Sequence, residues 1–356
     1  MPMRQVTWFM LPGQRPFREL HWLSLMPGTG LTAVGSPRPR ERVRFIERPY
    51  RQPTHRFVEA GALAWLRGLD SVPVEPGWVA SLELCSLVTG QVSALARRRR
   101  LRQAVMVWAN DPRLPLYRLP LYRQAMRRAR DADLFICFVE AAREHCVALG
   151  LPPERCRVVL PGVDAELYRP AAAPVAEPVA LFASPLAGNK GIDRVLEAHR
   201  LVRRRLPDAR LEVLGRGPLE GMVRREAERP GSGVRHLGSG DRHRVAEALR
   251  QAAVFVTAPR PTPVWNEQFG LAYVEAMASG LPVVTTACGS NHEAVRPPNV
   301  LVPDDAEALA EALLGFLADP ARRASVGAAN RRAVLERHEL RRQCARLGEA
   351  FQAPWY

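Results

Sequence analysis

Short apolar runs alternate with longer amphipathic stretches along almost the whole chain. The short runs are rich in Val, Leu and Ala and are bounded by Gly, Pro or Asp, as is typical of buried strands. The longer stretches place apolar residues at helical spacing among arginines, which predicts helices with one buried face. This alternation of strand and helix predicts an α/β protein built on parallel sheets.

The predicted elements follow this rhythm through both halves of the chain. In the first half, the predicted strands are Val6–Leu11, Leu31–Gly35, Val43–Ile46, Ala104–Trp108, Asp133–Phe138 and Arg157–Leu160. The predicted helices there are Arg56–Leu69, Leu82–Arg100, Tyr117–Arg130 and Ala141–Leu149. In the second half, the predicted strands are Val179–Ala183, Arg210–Leu214, Val234–Leu237, Val254–Ala258 and Pro282–Thr286. The predicted helices there are Ile192–Arg205, Leu219–Glu228, Arg242–Gln251, Leu271–Ser279 and Ala306–Ala318, with one or two more in Arg331–Phe351.

The length of 356 residues favours two domains. We expect a doubly wound, Rossmann-like domain over residues 1–172 and a second over 173–335, with the helix 336–356 packing back on the first. The proline-rich segment PAAAPVAEP, Pro170–Pro178, is predicted to link them. Ligands of such sheets bind beyond the carboxyl ends of the strands, so a cleft between the two domains is the expected site.

The net charge of +15 suggests a polyanionic partner, which can be nucleic acid, anionic lipid or a phosphorylated substrate. Nucleic acid is the least favoured partner, because the arginines are dispersed and aromatic residues make up 7% of the chain. The densest basic cluster, Arg97–Arg100 with Arg102, suits a solvated helix end, or contact with anionic lipid or a phosphorylated acceptor. Lys190 is the single lysine of the chain.

The cysteines and the apolar runs indicate where the protein resides. None of the six cysteines forms a CxxC pair, so we expect buried thiols in a reduced, cytoplasmic protein. No apolar run is long enough to cross a membrane, which predicts a soluble protein or one attached peripherally at the inner membrane face. The histidines show no metal-ligand spacing, and no metal is expected.

The segment WNEQFGLAYVEAMASGLPVV carries the most chemistry. Gly270 precedes a predicted helix, where the amides near Phe269, Gly270 and Leu271 can receive a phosphate group. Glu275 lies one turn along that helix and can accept hydrogen bonds from a ribose diol. Glu267 lies before the helix, eight residues ahead of Glu275. If a nucleoside diphosphate sugar binds at the helix start, Glu275 is expected at its nucleoside and Glu267 near its sugar.

The same residues carry a resemblance to a known family. EQFGLAYVE resembles the E-x7-E motif of retaining glycosyltransferases with the GT-B fold, and the continuation EAMASGLPVVTTACGSNHEAV is similar to family 4 of that class. The resemblance extends back through NKGIDRVLEAH, LEVLGRGP and VVLPGVDAELYRP to about Val105. It implies two Rossmann-like domains and transfer of a sugar, with retention, from a nucleoside diphosphate sugar to a hydroxyl acceptor. The acceptor can be a glycan, a lipid-linked sugar or a small molecule.

The resemblance implies that Lys190, in GNKG, neutralises the donor diphosphate in place of a metal ion. An exposed surface lysine is the alternative. The family usually has an arginine five residues before this lysine, whereas this chain has Pro185. The missing arginine implies weaker donor binding, or another arginine in that role, such as Arg216 or Arg260. A degenerate relative that binds a sugar nucleotide without catalysis is the remaining alternative.

Four further residues are implied for the donor side. Gly215 and Gly217, in LGRGP, resemble the turn beneath the nucleotide base, although a plain strand-to-helix turn fits them also. Asn291 and Glu293, in GSNHEAV, resemble residues near the donor sugar, and Glu293 can instead form local contacts.

The first domain offers candidates on its acceptor side. Asn110 and Asp111 follow the predicted strand Ala104–Trp108, where relatives have a polar residue that contacts the sugar or acceptor. An Asp-Pro turn explains Asp111 equally well. Gly13 follows the first strand, where the family has a glycine-bearing loop. Lys190, Glu267 and Asp111 are thus the catalytic candidates, and the leaving diphosphate is expected to take the acceptor's proton.

Two other functional classes remain alternatives. A sugar-nucleotide epimerase can use two Rossmann-like domains but gains no support from the E-x7-E segment. A basic nucleic-acid-binding protein would show binding that depends steeply on salt concentration.

Overall fold

A computed structural model describes residues 4–11, 17–36, 43–51, 64–110, 119–173, 175–263 and 265–352. The chain folds into two compact units. Unit 1 comprises Met1–Gly162 together with Leu340–Tyr356, and unit 2 comprises Val163–Glu339. The C-terminal segment therefore belongs to the same unit as the N-terminal half.

Unit 1 contains a parallel sheet with helices, and a short antiparallel pair, β4 with β5. Its strands are β1 (Arg4–Phe9), β2 (Thr29–Gly35), β3 (Arg44–Glu47), β4 (Tyr50–Arg51), β5 (Trp65–Leu66), β6 (Trp78–Leu82), β7 (Arg102–Val107), β8 (Leu134–Cys137) and β9 (Cys156–Val158). Its helices are α1 (Phe17–Ser24), α2 (Leu87–Arg99), α3 (Pro120–Ala129), α4 (Glu140–Ala148) and, from the end of the chain, α11 (Leu340–Ala350).

The unit 1 sheet has the order β3-β2-β1-β6-β7-β8-β9, and every neighbouring pair is parallel. Both faces are covered, because strands such as β6 and β8 are buried at every position. The strand order reverses between β1 and β6, which opens a crevice at their carboxyl ends. Trp78 and Phe351 pack edge to face at 5.0 Å, so the end of the chain contributes to the core of unit 1.

Unit 2 repeats this arrangement. Its strands are β10 (Val179–Ala183), β11 (Arg210–Leu214), β12 (Val234–Gly238), β13 (Val254–Val256), β14 (Val283–Thr286) and β15 (Val300–Val302). Its helices are α5 (Ile192–Arg205), α6 (Glu220–Glu228), α7 (Arg242–Gln251), α8 (Leu271–Ala278), α9 (Ala306–Leu317) and α10 (Pro320–Arg337).

The unit 2 sheet has the order β12-β11-β10-β13-β14-β15, again with parallel pairs throughout. Its core joins the β10, β11 and β13 side chains to α5 and α9, which lie on the sheet. The order reverses between β10 and β13, so the crevice of this sheet lies where those two strands end. Two doubly wound parallel sheets confirm the predicted α/β fold class.

The predicted boundaries were more accurate in unit 2 than in unit 1, although strand β15 and the first part of helix α10 were missed in unit 2. Val179–Ala183, Ile192–Arg205 and Arg242–Gln251 begin and end where the sequence predicted. In unit 1 the prediction missed α1 and β6. Strand β6 was missed because the predicted helix was begun at Leu82, the last residue of that strand, whereas α2 begins only at Leu87.

The predicted helix Arg56–Leu69 lies partly outside the described residues. Over the described part it is wrong, since Trp65–Leu66 form strand β5 and Leu69–Ser71 form a single 3-10 turn. The Gln91 side chain fixes this strand by exchanging two buried hydrogen bonds with the Leu66 backbone at 2.8 and 2.9 Å. Tertiary contacts therefore override the local helical propensity here.

The segment Pro170–Pro178, predicted as a linker, lies inside unit 2. Arg323 donates to the Val175 carbonyl at 3.2 Å, and Arg331 donates to the carbonyls of Ala165 and Tyr168 at 3.0 and 2.8 Å. Arg323 thus supplies a partner for the backbone of the proline-rich segment, and Arg331 does the same for the residues just before it. The chain passes between units at Gly162 and again at Leu340.

All six cysteines are free and buried. Across the described ranges, no helix combines the length and the apolar character needed to cross a bilayer.

Candidate functional site

The carboxyl ends of β10 and β13 carry the densest group of predicted site residues. Lys190 closes a 3-10 turn, Gly188–Lys190, that follows β10. Its Nζ donates to Oε2 of Glu267 at 2.7 Å. The two residues are 77 positions apart in sequence, and the crevice between β10 and β13 brings them together.

This ion pair is largely removed from solvent. The exposed fraction of the side chain is 21% for Lys190 and 11% for Glu267. The ammonium also lies over the ring of Trp265, 4.2 Å from its centroid, so one cation satisfies both a carboxylate and an aromatic face. Removing either charge would leave the other partly buried and uncompensated.

Glu267 is held on both sides by its own loop and the next one. Its N–H donates to the Asn266 side chain at 3.0 Å, and its carbonyl accepts the Ser290 N–H at 2.9 Å. Asn291 braces that second loop, because its Nδ2 donates to the Thr286 carbonyl at 2.8 Å and its Oδ1 accepts the Cys288 N–H. The buried Asn291 thus supports the loop next to Glu267 through backbone contacts.

Helix α8 begins next to this pair. Gly270 precedes it with φ of 80°, a left-handed conformation, and a Cβ added there would lie 2.1 Å from the Tyr273 ring. Only glycine therefore allows this helix start. Phe269 and Leu271 are buried on either side. Glu275 lies on the helix one turn beyond Leu271, is half-buried, and its carbonyl accepts the Ser279 N–H at 3.1 Å.

A buried hydroxyl cluster links α8 to the sheet. The hydroxyl oxygens of Tyr273, Thr257 and Thr285 lie 3.0 to 3.2 Å from one another. Burial raises the pKa of Tyr273 above its usual range, so this hydroxyl stays protonated. The cluster connects β13, β14 and α8 and fixes where α8 begins relative to the crevice.

A second ion pair lies beside Lys190. Arg260 follows β13, and its Nη2 donates to both carboxylate oxygens of Asp193 at 2.8 Å. Its N–H donates to the Asn189 carbonyl at 3.1 Å, which joins the loops after β10 and β13. The loops after β10 and β13 therefore bring two ion pairs into the crevice of unit 2.

The remaining donor-side predictions fall on loops with local packing roles. A Cβ at Gly215 would lie 2.1 Å from the Ser184 carbonyl, and one at Gly217 would lie 2.5 Å from the Leu186 carbonyl. These glycines let the loops after β10 and β11 approach, as the strand-to-helix alternative requires. Glu293 ends the 3-10 turn Asn291–Glu293 and is half-buried.

In unit 1 the acceptor-side predictions can be followed only in part. Gly13 and Asp111 lie outside the described residues. Asn110 follows β7 and is half-buried. Because Asn110 follows the end of β7, it lies on the carboxyl side of the unit 1 sheet, where β7 is the neighbour of β6.

Two glutamates that the sequence analysis missed lie at the same edge. Glu83 directly follows β6 and has φ of 64°, which is rare for a residue with a side chain. Its Oε1 accepts the Trp108 N–H at 3.2 Å, while its Oε2 is shielded and accepts no hydrogen bond from the described residues. Glu19 on α1 is buried and accepts the indole N–H of the same Trp108 at 2.8 Å.

Burial dominates the acid-base properties of this carboxyl pair. It raises the pKa of Glu83 to about 7, against the smaller opposing effect of the Trp108 and Ala109 N–H groups. Burial likewise raises the pKa of Glu19. Trp108 itself packs on Phe138 at 4.4 Å, so its ring is fixed while its two N–H groups hold the two carboxyls.

Comparisons with known proteins agree with this architecture. Residues 164–333 match the family model of Glycosyl transferases group 1. Among solved structures, the chain resembles Anabaena Alr3699/HepE in complex with UDP, with a TM-score of 0.77 at 15% identity over 98% of this chain and 100% of that one. It also resembles sucrose-phosphate synthase from Thermosynechococcus elongatus, with a TM-score of 0.71 at 19% identity over 98% of each chain.

The chain has the GT-B fold.

Curated relatives of this GT-B chain match over part of their length. It is 32% identical to the GDP-mannose-dependent alpha-(1-6)-phosphatidylinositol monomannoside mannosyltransferase of Mycolicibacterium smegmatis. The 252 aligned residues cover 65% of each chain. It is 34% identical over 215 residues to D-inositol 3-phosphate glycosyltransferase 1 of Catenulispora acidiphila, which covers 54% of this chain and 50% of that protein. The match thus spans from half to just under two thirds of these relatives.

The basic cluster of the GT-B chain is largely occupied by its own contacts. Arg97 pairs with Asp131 at 3.0 Å, and Arg98 pairs with Asp70. Arg99 donates to the Val72 carbonyl at 2.8 Å, and Arg102 stacks over a tryptophan ring. These contacts favour the solvated helix end over an open anion-binding surface.

The sequence analysis missed three further participants in this GT-B chain. Trp265 was quoted only as part of the motif, yet its ring holds the Lys190 ammonium. The partnership of Asp193 with Arg260 joins residues far apart in sequence, and no local pattern predicts it. Glu83 could have been found only by recognising β6, because the end of that strand defines its position.

Proposed function

We propose that this protein is a retaining glycosyltransferase of family 4, which moves a sugar from a nucleoside diphosphate sugar to a hydroxyl acceptor. The observation that carries the proposal is the Lys190–Glu267 pair, which lies in the β10/β13 crevice beside the start of α8. The match of residues 164–333 to the Glycosyl transferases group 1 model supports the same activity. Fold alone would not suffice, because one fold serves many functions.

Each group has a chemical role in this proposal. The Lys190 ammonium stabilises the charge that develops on the departing diphosphate, and the amides at the start of α8 bind its oxygens. Glu267 orients the transferred sugar, and Glu275 binds the ribose hydroxyls. The Lys190 ammonium now pairs with the Glu267 carboxylate. The donor diphosphate is also an anion, so it can take the place of Glu267 as the partner of Lys190. The leaving diphosphate takes the acceptor's proton, and no metal ion is required.

GDP-mannose is the proposed donor. The curated relatives in Mycolicibacterium smegmatis and Corynebacterium glutamicum are both described as GDP-mannose-dependent, at 32% and 35% identity. The relatives also suggest an inositol-bearing acceptor, lipid-linked or free. We place the protein in the cytoplasm, with peripheral contact at an anionic membrane where the acceptor is a lipid.

The single lysine makes the donor site directly measurable. Reductive methylation modifies amines, so in this chain it can mark only Lys190 and the α-amino group. We expect saturating GDP to slow methylation of Lys190 strongly and to leave the α-amino group unaffected, with UDP and ADP protecting less. Mass spectrometry of the two peptides measures both rates in one sample.

A Lys190→Arg variant provides the control, because only its α-amino group remains reactive. Equal methylation of Lys190 with and without all three nucleotides would contradict the proposal. A second candidate, a sugar-nucleotide-binding protein without catalysis, is favoured by the uncharged Pro185. Protection of Lys190 by GDP without release of GDP from GDP-mannose, tested against inositol-bearing acceptors, would favour that candidate.

A further inference from the structure

Only one cation follows β10 in the crevice of unit 2. Position 185 is an exposed proline, and Lys190 is the cation of this loop. A diphosphate carries at least two negative charges, and a lone ammonium binds it as a point charge without fixing its orientation. A second cation at this site would come from another loop.

Arg260 is next to Lys190 although it follows a different strand. Its N–H donates to the carbonyl of Asn189, the residue before Lys190, at 3.1 Å. At Gly191, an added Cβ would lie 1.7 Å from the Ala258 carbonyl, so the loops after β10 and β13 are pressed together. The strand order reverses between those strands, and this is where ligands of such sheets bind.

The guanidinium of Arg260 retains unused hydrogen-bonding capacity. Only its Nη2 donates within the described part of the chain, and it serves both oxygens of Asp193. Its Nε is shielded from solvent and has no hydrogen-bond partner there, whereas Nη1 also donates to no described residue and is not shielded, so Nη1 is the donor that a ligand can reach. The side chain is 31% exposed, so it can be reached by a ligand while Asp193 fixes its position. A planar guanidinium with free donors suits phosphate oxygens.

Arg216 is the competing candidate and is less well placed. It follows β11, which lies on the side of β10 away from β13. Its carbonyl accepts the Leu186 N–H at 2.9 Å, which fixes its backbone to the loop after β10, but its side chain is exposed. One strand therefore separates Arg216 from the crevice.

We propose that Arg260, oriented by Asp193, is the second cation of the donor diphosphate site and replaces the arginine missing at Pro185. This inference rests on the proposed function. It assigns the diphosphate to a pair of cations supplied by two strands, Lys190 after β10 and Arg260 after β13.

The test compares Arg260→Gln with the matched Arg216→Gln variant by isothermal titration calorimetry. The ligand is whichever of GDP, UDP and ADP stabilises the wild type most, together with its monophosphate. A charge-assisted hydrogen bond lost to glutamine should weaken diphosphate binding about 10- to 100-fold in Arg260→Gln. Monophosphate binding should weaken less, and Arg216→Gln should bind both ligands within about twofold of the wild type.

Arg260→Lys provides a second variant, which retains the positive charge but lacks the planar guanidinium and its several N–H donors. We expect its affinity for the diphosphate to be intermediate. Unaltered diphosphate affinity in both Arg260 variants, or a loss confined to Arg216→Gln, overturns the inference. Circular dichroism verifies that each variant is folded. Failure of the wild type to bind any nucleoside diphosphate would instead refute the proposed function, so the two failures are distinguishable.

Discussion

The two sheets have the same winding, yet the carboxyl groups at their crevices are stabilised differently. In unit 2, Glu267 meets the Lys190 ammonium, and Asp193 meets the Arg260 guanidinium. In unit 1, Glu83 and Glu19 both hydrogen-bond to Trp108. Neither glutamate forms a salt bridge with a residue that the structure describes.

Each crevice also uses a tryptophan, but a different part of it. In unit 2 the electron-rich face of Trp265 lies under a cation. In unit 1 the N–H groups of Trp108 face two carboxyls. In unit 2 each of these carboxylates has a cation as its partner, whereas in unit 1 both glutamates have neutral donors and burial raises the pKa of both. The same fold thus builds a charged crevice in one unit and a protonatable one in the other.

The largest effect should come from removing the cation in unit 2. We expect Lys190→Met to lower kcat/KM for the donor about 10²- to 10³-fold, since a preorganised charge at the leaving group is lost. Stability should also fall by about 2 kcal/mol, because Glu267 is then left partly buried without a counter-charge. Steady-state kinetics and urea denaturation at pH 7 measure the two effects.

The double variant Lys190→Met/Glu267→Gln separates these effects. It removes both charges, so most of the lost stability should return while activity stays low. If the double variant is as unstable as Lys190→Met, the charge pairing in unit 2 is not what stabilises this crevice.

The second effect concerns unit 1, where a substitution should raise the stability of the protein instead of lowering it. We expect Glu83→Gln to stabilise the protein by up to about 3 kcal/mol at pH 8, because it removes a carboxylate that burial disfavours. The amide oxygen that this substitution introduces can still accept the Trp108 N–H. Urea denaturation at pH 4 and pH 8 measures the difference.

The pH window follows from the raised pKa. Below about pH 4.5 the Glu83 carboxyl is protonated in both folded and unfolded chains and has no effect on the pH dependence. Between about pH 4.5 and 7 the unfolded chain ionises first, so the wild type loses stability as pH rises. Above about pH 7 the loss is complete. Equal stability of wild type and variant at pH 8 would contradict the claim that burial disfavours the ionised Glu83 carboxylate in unit 1.

The sequence predicted the charged crevice better than the protonatable one, for a physical reason. The residues of unit 2 lie in a run of strands and helices with clear Gly and Pro boundaries, and Glu267, Gly270 and Glu275 share one segment. Lys190 is distinguished by being the single lysine. Chemistry concentrated in one segment can be recognised from that segment alone.

Glu83 could not be recognised in this way. Its environment depends on where β6 ends, on α1 carrying Glu19, and on β7 delivering Trp108, which lie far apart in the chain. Only the folded sheet joins them. Likewise, the partner of Arg260 is 67 residues away, so the sequence could name Arg260 as a candidate but could not choose it over Arg216.

The smallest effect tests the role of the tryptophan face in unit 2. We expect Trp265→Leu to destabilise the protein, and about 0.5 to 1 kcal/mol of this loss should arise from the contact with Lys190. A double-mutant cycle of Trp265→Leu with Lys190→Met isolates that coupling, because any other packing loss appears in both arms. Urea denaturation of the four proteins at pH 7 measures it. Additive effects, with no coupling, would show that Trp265 only packs beside the ammonium, and the contrast between the two tryptophans would then rest on Trp108 alone.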